Sequence, residues 1–214
     1  MKKIFAAVVL SAMLLSGCGS EDSSESSSSK ALPEKVVQMM TDKAVYYDLS
    51  SLLKDSQLIV IGEYAEETEQ KLVGWHNAET DTYVISNATS TNKIHIKKVL
   101  KGDPPEEDIK ISQRYGIQEK PEQIVTFSDL TPMIKGDEWL FFLKYDALNS
   151  TYWCAGDYCG RYPVPTDEIK AELEELGDNG LLDEKTMGVY NNPANSTYLY
   201  REIIKYFSDE FADT

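Results

Sequence analysis

The sequence predicts an α+β domain in which short antiparallel strands close into a barrel or sandwich, with a helix before them and helices after. Two apolar runs rich in β-branched and aromatic residues, Leu58-Ile59-Val60-Ile61 and Trp139-Leu140-Phe141-Phe142-Leu143, read as core strands. The shorter stretches between them are punctuated by turns rather than by long helical patterns, which argues against a βαβ sheet. Beyond residue 165 the periodicity becomes helical.

Taken in order, residues 33–44 form a weakly helical lead-in with Val36, Val37, Met39 and Met40 as its apolar side. Residues 46–56 read as a short helix, because Leu49, Leu52 and Leu53 recur at i, i+3, i+4. Residues 58–64 are the strongest strand. Residues 71–81 are polar and read as a loop or hairpin end, 82–86 as a second strand, and the Thr/Ser/Asn stretch 87–92 as a turn region. Residues 93–100 give a third strand, stopped by Lys101-Gly102-Asp103-Pro104-Pro105, since proline cannot donate to a ladder. Residues 108–115 alternate again, and 116–132 read as a polar excursion around Ile124, Val125 and Phe127. Residues 151–154 and 160–164 suggest a closing hairpin around a cysteine pair. Helices are expected over 166–176 and 195–211, the second capped by Asn195 or Ser196 and striped by Leu199, Ile203, Tyr206, Phe207 and Phe211.

The first 17 residues have a basic start, Lys2-Lys3, followed by an apolar run too short to span a bilayer, which needs about 20 residues. Leu15-Ser16-Gly17-Cys18 then reads as a lipobox. Residues 1–17 are thus expected to be a signal peptide, cut before a Cys18 that carries lipid. Residues 18–30 (CGSEDSSESSSSK) have almost nothing apolar to bury, so a disordered, Ser-rich tether is expected. Two or more acyl chains anchor stably where one does not. The expectation is a palmitate-bearing lipoprotein on the extracytoplasmic face of the cell membrane, with residues 31–214 as one globular domain: a barrel over about 57–165 and a helical part over about 166–214.

Lys and Arg number 21 against 36 Asp and Glu, for a net charge of −15. Loss of Lys2 and Lys3 with the signal peptide leaves the remainder near −17. Such a field excludes nucleic-acid partners, whose binding rests on neutralised phosphates, and repels anionic headgroups.

Besides Cys18 there are Cys154 and Cys159, in YWCAGDYCG. In an oxidising compartment so near a pair is expected to form a disulfide, with two free thiols as the alternative. Zinc would need two further ligands, and His76 and His95 are the only histidines. A redox C-x-x-C spacing is absent.

Three stretches taken together, SQLIVIG (56–62), IHIKKVLKG (94–102) and KGDEWLFFL (135–143), resemble a broad set of uncharacterised secreted proteins and lipoproteins of Gram-positive bacteria. Their succession is also distantly similar to the amino-terminal domain of the tissue inhibitors of metalloproteinases. That resemblance covers roughly residues 46–164 and implies a small five-stranded OB-like β-barrel. Those inhibitors chelate the protease zinc through a cysteine that opens the mature domain; here the corresponding Cys18 is separated from the barrel by the tether. Inhibition therefore does not carry over residue by residue.

No nucleophile elbow accompanies the histidines. His95 alternates with Ile94 and Ile96 and is expected to face solvent; His76 falls in a polar stretch. Glu66-Glu67 and Glu106-Glu107-Asp108 read as solvated faces rather than a glycosidase pair. Asp178-Asn179-Gly180 lacks the spacing of a calcium loop and reads as a turn. No catalytic residue, metal or cofactor is expected. The aromatic group Tyr152, Trp153, Tyr158 and Tyr162 is the candidate binding surface, because tyrosine and tryptophan bring area with a polar tip. The function expected is non-catalytic binding of an extracytoplasmic protein or cell-wall ligand. The alternatives are an inhibitor of an extracellular protease and an envelope hydrolase working with carboxylates.

Overall fold

The structure, a computed structural model, describes residues 32–42, 44–191 and 194–211. The expected signal peptide, Cys18 and the expected tether lie outside the described residues. The elements in chain order are β1 (Val36–Gln38), α1 (Leu49–Asp55), β2 (Leu58–Asn77), β3 (Thr82–Lys101), β4 (Asp108–Gln113), β5 (Tyr115–Glu119), β6 (Glu122–Thr126), β7 (Glu138–Asp146), β8 (Thr151–Cys154), β9 (Arg161–Pro163), α2 (Asp167–Leu176), α3 (Glu184–Met187) and α4 (Ala194–Tyr206). Short 3-10 turns cover Asp157–Gly160 and Ser208–Phe211.

The larger sheet runs β2-β3-β4-β8-β7-β9, and β2 pairs with β7 as well, so five strands return to their starting point. Neighbours in this ring are antiparallel except β4 and β8, which are parallel. The two apolar runs of the sequence pair with each other, Val60 opposite Phe141 and Leu58 opposite Leu143. They lack alternation because both faces are covered. Leu58, Val60, Ile94, Ile111, Phe141 and Leu143 fill the inside of the ring. Ile59, Ile61, Leu140 and Phe142 point outward under Leu52 of α1 and Leu199, Tyr200 and Ile203 of α4. Gly62 lets β2 and β3 approach closely, since a Cβ there would collide with Ile94 Cγ2.

The helices follow their sequence signals. Asp48 caps α1, its Oδ1 accepting from the Ser51 N–H at 2.8 Å. Thr166 caps α2 in the same way through Ile169. The stripe Leu199, Ile203, Phe207 and Phe211 is buried, but Tyr206 is exposed. Asn195 and Ser196 lie inside α4, which begins at Ala194, so neither is its cap.

Four sequence expectations are corrected. The lead-in is not helical: Val36–Gln38 pairs parallel with β6, where β-branched Val36 and Val37 meet Ile124 and Val125. Residues 71–77 and 87–92 are not loop or turn but the far halves of β2 and β3, a long hairpin arm whose turn is reached only after Asn77. Residues 116–132 contain the β5–β6 hairpin, which with β1 makes a separate three-stranded sheet. That sheet packs Val125 and Phe127 against Ile85 and Ala88 of the arm. Gln70 of the arm completes the junction, its side chain exchanging both hydrogen bonds with the Ile117 backbone. Finally, β8 and β9 do not pair as a hairpin; each lies antiparallel to a different stretch of β7.

Candidate functional site

The four aromatics of the expected surface are divided by the pleat. Tyr162, on β9, is fully buried, stacked on Tyr200 at 5.6 Å and edge-on to Phe142 at 5.9 Å. Its hydroxyl has no hydrogen-bond partner. Tyr158 is buried under α4, its hydroxyl reaching Asn195. These two belong to the core, which corrects their assignment as binding residues. Tyr152 is half-buried against the mouth of the inner core and tilted onto Tyr145. Only Trp153, the next residue along β8, takes the outer face. It is half-buried, and its indole N–H donates to Asp146 Oδ2 at 3.1 Å across the β7–β8 turn. Asp146 also accepts from Asn149 Nδ2 at 2.7 Å and from the Leu148 N–H. Hydrogen bonds from Asn149 and then Trp153 hold its carboxyl below the usual carboxylate range. The indole is thus fixed in one orientation.

Trp153 forms one wall of a groove of about 490 Å³ on the outside of the sheet. Thr68, Glu69 and Lys71 of β2, Asn87, Thr89 and Thr91 of β3, Lys110 and Ser112 of β4, and Asn149, Ser150 and Thr151 complete it. Its floor is a row of hydroxyls across four strands. Thr68 Oγ1 donates to the Thr91 carbonyl at 3.0 Å, Thr91 and Ser112 hydroxyls meet at 3.2 Å, and Ser112 donates to Thr151 Oγ1 at 3.2 Å. The register explains the row: Thr91 stands opposite Ser112, and Ser112 beside Trp153. Each hydroxyl combines a donor with two acceptor lone pairs, so it keeps capacity for a further partner. The Thr/Ser/Asn composition that reads as a turn in sequence is the polar face of a strand.

A second, larger cleft of about 650 Å³ is lined mainly by apolar residues, among them Leu32, Val36, Pro132, Ile134, Trp139 and Tyr190. Two of its carboxylates are engaged by backbone N–H groups of the fold. Asp137 Oδ2 accepts from the Ile134 N–H, and Glu184 Oε1 accepts from the Asn191 N–H. Behind it lies a fully buried Arg161, stacked 4.4 Å over Trp139 and donating to Thr131 Oγ1 and the Gly188 carbonyl. Burial pushes this guanidinium pKa downward. Gly188, at φ +65, is the left-handed end of α3, and any Cβ there would strike the Trp139 ring. This cluster pins α3 to β7 and β9.

Cys154 and Cys159 are free thiols, contrary to the expected bridge. The local geometry turns them apart: Cys154 Sγ lies against Gln113 Nε2, whereas Cys159 Sγ faces the Tyr46 carbonyl and Asn195. Burial raises each to about 11. Since the thiolate is the nucleophile, a thiol reagent at pH 8 is expected to label both slowly in the native protein and rapidly once it is unfolded, read by peptide mass. A linked Cys154–Cys159 peptide, or fast native labelling, would contradict this. The folded state also holds these protons where the unfolded chain releases them. The thiols' contribution to stability is therefore full below the ordinary thiol range, about 8.5, and declines as pH rises toward about 11.

His95 faces solvent, as expected, and with Lys93 holds Asp108, at 2.9 and 2.8 Å. His76 is exposed near the tip of the arm beside Asp81. The exposed Trp75 and Tyr83 share that tip, and nothing in their sequence context marks them. Among the described residues, no group of three or more His, Cys, Asp or Glu is placed to hold a metal ion, and no helix is long and apolar enough to cross a membrane. Comparison with protein-family models, curated proteins and solved structures finds no match.

Proposed function

We propose that the chain is a membrane-anchored lipoprotein of the extracytoplasmic face, whose domain is a non-catalytic binding module for a hydroxyl-rich chain molecule of the glycan type. The observation that carries this is the oriented Trp153 indole forming one wall of a groove floored by a row of hydroxyls on four neighbouring strands. An aromatic face offers apolar area to the C–H side of a sugar ring, while hydroxyls, Asn149 and Asn87 exchange hydrogen bonds with its rim. The ring order, with one parallel pair among antiparallel neighbours, fits an OB-like barrel. Barrels of that kind bind oligonucleotides or oligosaccharides on the same face, between the first long hairpin and a later turn. An extracytoplasmic location favours the oligosaccharide.

Titration calorimetry of the full chain in detergent against a panel of oligosaccharides tests this reading. Saturable binding that is lost in Trp153→Ala supports it, and uniform indifference across the panel counts against it. The anchor is tested separately. Cells fed a clickable palmitate are expected to label the wild-type chain and not Cys18→Ala, which should leave the membrane fraction. Equal label in both forms would refute lipidation at Cys18.

A further inference from the structure

The groove is lined by two ammonium groups, those of Lys71 and Lys110. Four other lysines of the sheet are each tied to a carboxylate: Lys93 to Asp108 at 2.8 Å, Lys97 to Glu63 at 2.6 Å, Lys98 to Glu210 at 2.8 Å and Lys144 to Asp55 at 3.0 Å. Lys71 and Lys110, which line the groove, make no ion pair among the described residues. In a chain with 36 acids against 21 bases, two lysines sharing one concavity with a single acid give it a local charge opposite in sign to that of the whole chain.

Their placement is specific. Lys71 stands opposite Thr89, and Lys110 opposite Lys93, so they flank the Thr91–Ser112 hydroxyl pair on opposite sides. Four residues along β3 and two strand spacings separate them, roughly 16 Å between backbones at about 3.3 Å per residue and 4.8 Å per strand. A single small anion cannot meet both; one extended chain bearing successive anions can. Among the described residues that line the groove, Glu69, opposite Thr91, is the one acid, which leaves one net positive charge among them.

We infer that the groove selects an anionic polyhydroxylated chain, its hydroxyls taken by the Thr/Ser/Asn floor and Trp153 and its phosphates or carboxylates by Lys71 and Lys110. This inference rests on the glycan-type reading above and deepens it to a substrate class. A phosphodiester-linked polyol and a uronic-acid glycan share this chemistry, and the test separates them.

The full chain in detergent is titrated with a glycerol-phosphate oligomer, an oligogalacturonate and a neutral cello-oligosaccharide of matched length, at low and at moderate salt. One or both anionic probes are expected to bind about tenfold tighter than the neutral one at low salt, with the advantage shrinking as salt screens it. The better anionic probe identifies the source of charge. Lys71→Gln/Lys110→Gln is expected to abolish the advantage while leaving the melting temperature unchanged. Equal binding of all three probes, indifferent to the double substitution yet lost in Trp153→Ala, would overturn the anionic inference and leave the groove reading standing. Binding that is unaffected by Trp153→Ala would overturn both.

Discussion

Replacing Tyr162 by alanine is expected to leave the domain largely unfolded at 37 °C. Tyr162 is fully buried between the sheet and α4, stacked parallel on Tyr200 and set edge-on to Phe142. Removing a large aromatic from such a position leaves a cavity that its neighbours cannot close, a loss of about 3–5 kcal/mol. That is comparable to the ~5–15 kcal/mol by which whole domains are stable. The conservative partner makes the cause readable. Tyr162→Phe removes only a hydroxyl that is buried without a partner, so it is expected to be neutral or stabilising. Denaturant unfolding of the two variants measures both effects. A Tyr162→Ala protein as stable as wild type would place the ring on the surface and break the account of the core.

The opposite pattern is expected at Trp153, nine residues earlier and part of the same aromatic cluster in sequence. Its ring is half-buried on the outer face, and its main tie is the hydrogen bond to Asp146. Trp153→Ala is therefore expected to cost about 1.5–3 kcal/mol of stability, the net worth of a hydrogen bond to a charged group, less than the loss at Tyr162. Binding should fall about 30-fold or beyond, because a rigid aromatic anchor at the centre of a site carries a disproportionate share of its energy. Asp146→Ala should weaken binding through the same ring, by freeing it to rotate and adding an entropy loss on capture. Calorimetry paired with thermal unfolding separates the two quantities. Trp153→Ala that unfolds the protein, or that leaves ligand affinity intact, would remove Trp153 from the site.

The contrast between Tyr162 and Trp153 marks what could be read in advance. Segments 58–61 and 139–143 were legible as core strands because each is apolar on both faces, a property independent of their partner. Helices α2 and α4 were legible because their period and, for α2, the Thr166 cap are local. The arm was not. Residues 68–77 and 87–92 carry no apolar period, since one face of the hairpin meets water and the other meets only Val125, Phe127 and their small sheet. Their strand character comes from pairing with each other, Lys71 with Thr89 and Glu69 with Thr91. For the same reason β1 was hidden: three residues become a strand only because β6 offers an edge.

The sequence by itself determined the charge, the two core strands and the C-terminal helices, all of which are local or summed over the chain. Tertiary structure alone decided that Thr68, Thr91, Ser112 and Thr151 make one row, that Lys71 and Lys110 flank it, and that Trp153 lines the same groove while Tyr158 and Tyr162 turn inward. The physical reason is register. The face a strand residue occupies is set by which neighbour it pairs with, and shifting that pairing by one residue exchanges core for surface.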